Sequence, residues 1–151
     1  MIEKKIYDIA LSFRSAIIAA KMNREFSIRD RMNCFPRGCC DDSCDLFSYY
    51  LENTYGIYTR QANGVYRDSN PYNTTNHAWL VDEKGIIIDI TADQFDFVSK
   101  SCQGVYVGNE NLFYKQLDDR HFMQNYNIEE SERLWNDYEI ITNYLVKNSD
   151  Q

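Results

Sequence analysis

Three of the chain's five cysteines, Cys39, Cys40 and Cys44, crowd the junction between a turn and a helix-like stretch in "FPRGCCDDSCDLFSYYL", which begins at Phe35. A thiol at a helix start lies in the positive end of the helix dipole, among unpaired backbone N–H groups. Both effects favour the thiolate, the reactive form. The same N–H groups can receive an oxyanion formed by attack on a carbonyl. A cysteine nucleophile also needs a base and a group that orients the base. The chain has two histidines, His77 and His121. His121 sits in the acidic "LDDRHF" and reads as a solvated surface residue. His77 opens the apolar run "HAWLV" and should emerge at a strand end near a cleft. Asp89 interrupts the isoleucines of "GIIIDIT", and an acid in such a strand needs a partner if it is buried. Cys40, His77 and Asp89 are therefore the candidate catalytic residues: nucleophile, proton carrier and orienting carboxylate.

Other readings compete. Cys39 adjoins Cys40 and is the rival nucleophile. Asp41 and Asp42 oppose thiolate formation if they lie close. Cys40 as an inert buried thiol is the bland alternative. A zinc site drawn from Cys34, Cys39, Cys40, Cys44 and His77 would lack the usual C-x-x-C pairing, so no metal and no other cofactor is expected.

The elements that must position these side chains can be read from periodicity. Ile2, Ile6, Ile9, Phe13, Ile17 and Ala20 predict an amphipathic helix over residues 2 to about 23. "FPRG" is a turn. A helix should start at Cys40 or Asp41, bury Leu46, Tyr50 and Leu51, and stop at Gly56. The polar segment from Thr59 to Asn76 reads mostly as loop, with a short strand near Val65. In that reading it borders the cleft with Tyr66 and Tyr72, and offers Arg60 and Arg67 to an acidic substrate. "HAWLV" and "GIIIDIT" flank "DEKG", a hairpin signature with Gly85 at the bulge. One register sets Asp82 against Ile86 and Trp79 against Asp89, leaving His77 diagonal to Asp89. A register tighter by one residue on each side sets His77 directly opposite Asp89. Either keeps the two on one face, roughly 5 to 8 Å apart at their side-chain roots. A further strand is expected at "GVYVG", a brief helix in "NLFYKQLDDRHF", and a last helix whose Leu134, Tyr138, Ile141 and Leu145 pack on the same domain.

Totals narrow the class. At 151 residues the chain is sized for a single domain, 1–151, and its 15% aromatic content argues against disorder. A net charge of −7 without a dense Lys/Arg run excludes a phosphate-tracking groove, so no nucleic-acid partner is expected. The first 21 residues carry Glu3, Asp8 and Arg14, which suits neither a signal peptide nor a membrane span. Crowded cysteines in odd number suit reduced thiols and a cytoplasmic protein.

The ordered set "FPRGCC", "HAWLV" and "IIIDITADQF", covering roughly residues 35 to 95, resembles the transglutaminase-like and papain-like cysteine enzymes. It is most similar to a small bacterial branch with the pattern Phe-Pro-x-Gly-x-Cys, His-Ala-Trp-Leu and Ile-Asp-Ile-Thr-x-x-Gln-Phe. Spacing from Gly38 puts the family's nucleophile on Cys40, with His77 and Asp89 as its partners. Cys44 stands where a small polar residue would be expected. The resemblance implies an α+β fold with a papain-like or transglutaminase-like core. In that core the Cys-bearing helix packs on an antiparallel sheet, with flanking N- and C-terminal helices. It implies acyl transfer on an amide bond through a thioester, as in a peptidase, an amidase or deamidase, or a transglutaminase, with a protein or peptide substrate. The alternative is a catalytically silent protein- or peptide-binding domain of the same fold.

Overall fold

The computed structural model describes residues 2–67, 74–94 and 104–149. Helix α1 spans Ile2–Met22 and a short 3-10 turn covers Arg31–Cys34. Helix α2 spans Cys40–Tyr55, strand β1 Thr59–Arg67, β2 Thr74–Asp82, β3 Ile87–Asp89 and β4 Tyr106–Gly108. Helix α3 is Leu112–Gln116, β5 is Asp118–Met123 and α4 is Glu132–Ser149. The fold is α+β. One antiparallel sheet runs in the order β4-β3-β2-β1-β5, with helices flanking it.

Alternation along β2 divides the core in two. Ala78 and Leu80, with Ile88 and Ile90, pack against Ile6, Phe13 and Ile17 of α1 and against Leu46, Phe47 and Leu51 of α2. Leu134 and Ile141 bring α4 into the same cluster, so the stripe on the last helix does pack on its own fold. Trp79, Val81, Ile87 and Ala62 point the other way and are covered by Phe113, Tyr114 and Leu117. Both faces of β2 are thus buried, which is why "HAWLV" is apolar throughout rather than alternating. Helix α2 ends where expected: Gly56 N–H bonds the Glu52 carbonyl and Ile57 N–H the Leu51 carbonyl, closing the last turn.

The β2–β3 hairpin takes the wider of the two registers, pairing Leu80 with Ile88 and Val81 with Ile87. Gly85, at φ +83, occupies the left-handed position of its turn. The Asp82 carboxylate accepts from the Lys84 and Ile86 amides and fixes the loop from within.

One expectation is corrected. Residues 59–67 are not loop but a nine-residue strand lying between β2 and β5. Asn63-Gly64, a turn signal in isolation, sits in its interior. A Cβ on Gly64 would lie 2.9 Å from the Leu117 Cβ, so glycine serves close approach here rather than a turn. Arg60 lies over the Phe122 ring, and Arg67 pairs with Asp118 at the surface. Tyr72 lies outside the described residues. The brief helix expected in "NLFYKQLDDRHF" is Leu112–Gln116. Leu117 turns extended, and Asp118 onward pairs with β1 as an edge strand, exposed along its whole length.

Candidate active site

The turn at residues 35–38 delivers the chain to Cys39, the N-cap of α2. Three thiols at the start of α2 then differ sharply in surroundings. Cys39 is fully buried, and burial pushes its thiol up to about 12. Cys44 is also buried, and burial again drives its thiol well above the ordinary range. Cys40 alone of the three is half-exposed. Its Sγ lies 3.9 Å from the Asn76 carbonyl and hydrogen-bonds the His77 ring. The first turn of α2 thus presents one reachable thiol and withdraws its neighbours.

His77 is fully buried and held from both sides. Its Nε2 lies 2.6 Å from Asp89 Oδ2, which leaves Nδ1 for the thiol. The ring stacks on Trp79, with centroids 5.5 Å apart. Burial works against a charged imidazole. The Asp89 carboxylate and the Cys40 hydrogen bond outweigh it and raise His77 to about 9. Asp89 shows the converse balance. Burial works against its charge, but His77, the Tyr114 hydroxyl and the Thr91 amide hold its carboxyl below the ordinary value. The pair is therefore ionised at neutral pH, an imidazolium against a carboxylate.

The structure brings Cys40, His77 and Asp89 together, with His77 diagonal to Asp89 on one face of the hairpin. The acids at the start of α2 are neutralised by two arginines. Arg31 reaches Asp42 at 2.8 Å and Asp41 at 3.4 Å, and Arg133 of α4 reaches Asp42 at 3.1 Å. His121 is exposed, as expected, and Cys34 is exposed on the 3-10 turn. Among the described residues no group of three or more His, Cys, Asp or Glu side chains is placed to hold a metal ion.

Tyr114 and Thr91 are the site's partners that sequence reasoning missed. Tyr114 donates to Asp89 Oδ2 at 2.7 Å, and the Thr91 amide and hydroxyl donate to Oδ1 at 3.0 and 3.3 Å. Thr91 follows Asp89 by two residues, the spacing of an Asx turn, so a local signal existed. Tyr114 is separated by 25 residues and carries no pattern that marks it.

No family model matches the chain, and neither a curated protein nor a solved structure is significantly similar to it. Among the described residues, no helix is long and apolar enough to cross a membrane.

Proposed function

We propose that the chain is a Cys-His-Asp acyl-transfer enzyme acting on amide bonds, with a papain-like or transglutaminase-like core. The observation that carries this reading is the buried His77 imidazole, bonded to Asp89 on one side and to the Cys40 thiol on the other. A structural histidine needs one partner. This one has a carboxylate that favours its cation and a half-exposed sulfur that gains from it.

In the reaction so read, the Cys40 proton resides on His77. The Cys40 thiolate attacks the carbonyl carbon and forms a C–S bond, and the carbonyl electron pair moves to oxygen. The side chain of Cys39 makes no capping hydrogen bond, which leaves first-turn backbone N–H groups of α2 to receive the oxyanion. His77 gives its proton to the departing nitrogen as the C–N bond breaks, leaving a thioester. Water or an amine then attacks the thioester, His77 takes its proton, and the Cys40 thiolate departs. Asp89 stays ionised and keeps the imidazole in register. Substrates are proteins or peptides, and water and amine remain equal candidates for the second acceptor.

Peptide mapping after brief treatment with iodoacetamide at neutral pH tests the assignment of the nucleophile. Cys40 should carry the label before Cys39 and Cys44. Labelling of Cys39 first, or of all thiols alike, removes Cys40 from the role. Intact mass spectrometry with activated peptide esters should then show a hydroxylamine-sensitive adduct on Cys40. A chain that binds peptides yet never forms that adduct is the silent binding domain instead.

A further inference from the structure

We infer that Tyr114 is a positioning residue of this site, its hydroxyl fixing Asp89 and loosening that carboxylate's hold on the imidazole proton. The inference rests on the reading of Cys40, His77 and Asp89 as the reacting set. Its basis is that two donors meet on one oxygen. Asp89 Oδ2 accepts from His77 Nε2 at 2.6 Å and from the Tyr114 hydroxyl at 2.7 Å, while Oδ1 is occupied by Thr91. A hydrogen bond to a carboxylate oxygen draws charge toward its donor. What Tyr114 takes from Oδ2 is no longer offered to the imidazolium.

The fold places this hydroxyl with care. Helix α3 has five residues, and Asn111 caps it by accepting from the Phe113 and Tyr114 amides. Tyr114 is 1% exposed, its ring 5.2 Å from Trp79 and 5.5 Å from Tyr106. A buried phenol needs an acceptor, and any backbone carbonyl would serve. Here the acceptor is the oxygen that orients His77. An imidazole clamped permanently as a cation cannot complete the cycle, because it must yield its proton to the leaving nitrogen and regain one. A second donor on Asp89 moderates that clamp. The other groups around the pair are Cys40 and Cys44 of α2 and Tyr106 of β4, whose hydroxyl is bonded to the Asn109 carbonyl. Arg14 of α1 lies next along, bonded to the Ile90 carbonyl and paired with Asp93.

The test is an NMR titration of His77 in the whole chain, with the pH profile of Cys40 alkylation beside it. In Tyr114→Phe the ring stays and the donor goes. The His77 midpoint should rise by about half a unit, because roughly a third of a charge-assisted hydrogen bond acts differentially on the two protonation states. The alkaline limb of the alkylation profile should move with it. Leu117→Ala is the packing control, a buried side chain of the same cluster as Tyr114, just after α3. It should lower thermal stability and leave the midpoint in place. An unmoved or lowered midpoint in folded Tyr114→Phe, or an equal shift in Leu117→Ala, overturns the inference. If Tyr114→Phe does not fold, 3-fluorotyrosine introduced at position 114 supplies a stronger donor. The midpoint must then fall, and a midpoint that stays put also overturns the inference. His77→Asn separates the two readings. Parent-like alkylation of Cys40 in that variant would remove the acyl-transfer reading while leaving the Tyr114 effect on His77 intact.

Discussion

Replacing Asp89 by asparagine is the sharpest perturbation of the site, because it changes charge while almost preserving shape. The amide keeps an oxygen for the Thr91 N–H but no longer offers a charge to His77. His77 is 0% exposed, so burial then acts on its cation with nothing comparable to oppose it. Its titration should fall from about 9 to below the ordinary 6.5, roughly 3 kcal/mol of lost preference for the cation. At pH 7.5 the imidazolium passes from the dominant form to about a tenth or less, and Cys40 loses the cation that stabilises its thiolate. Iodoacetamide alkylation of Cys40 at pH 7.5 should slow roughly tenfold or more. The linkage has a definite sign. A raised His77 gives stability that is complete below 6.5 and disappears as pH rises through about 9. Thermal melts of the parent should therefore decline across that window, and those of Asp89→Asn should lack this component. A variant whose Cys40 alkylates as the parent does, or whose His77 still titrates near 9, would refute the coupling on which the site is read.

Arg133→Met takes from buried Asp30 and Asp42 the guanidinium that lies 3.1 Å from each, and urea denaturation at pH 7 should show a loss of roughly 3 kcal/mol. A loss below about half a kcal/mol would mean the cluster is already neutral. Burial and the neighbouring Asp30 carboxylate push Asp137 up to about 8, so the folded chain binds that proton more tightly than the unfolded one and stability falls as pH rises from about 4 to 8. Asp137→Asn should melt several degrees above the parent at pH 9, by a smaller margin at pH 5, and alike below pH 4. A parent-like pH dependence in that variant would count against a buried proton at Asp137.

What could be read from the sequence follows what each element depends on. Helices α1, α2 and α4 and the β2–β3 hairpin were legible because apolar spacing sets their buried faces. Phe13, Leu51 and Ile141 are all fully buried, at the positions periodicity assigns them. The register was legible to one residue because Gly85 limits the ways the turn can close. The strand β1 was not, because a central strand is ordinarily recognised by apolar residues, and this one carries Gln61, Asn63 and Gly64. It is held by backbone pairing to β2 along its whole length and to β5 from Gln61. The strand β5 gives no signal at all, since every one of its residues is exposed and nothing alternates. In the site, Cys40, His77 and Asp89 stand out because each is an odd residue in its segment. Tyr114 does not, because an aromatic residue in a short helix is indistinguishable from core until the partner of its hydroxyl is known.

The cysteine-bearing helix also resolves a conflict that its own sequence raises. Acids in a first turn stabilise a helix, yet Asp41 and Asp42 follow Cys40 directly and their charge opposes a thiolate. Removing them would forfeit the dipole interaction. The fold keeps them and supplies compensating cations from elsewhere. Arg31 arrives from the preceding 3-10 turn and Arg133 from α4, 91 residues along the chain from Asp42. Asp42 is the deeper of the two acids, with 4% of its side chain exposed, and both arginines reach it. The more exposed Asp41 pairs with Arg31 at 3.4 Å and is screened by water. The C-terminal helix, which contributes no group to the site, thus reaches it through charge. With those acids neutralised, the imidazolium of His77 acts on Cys40 with less opposition from the acids of α2.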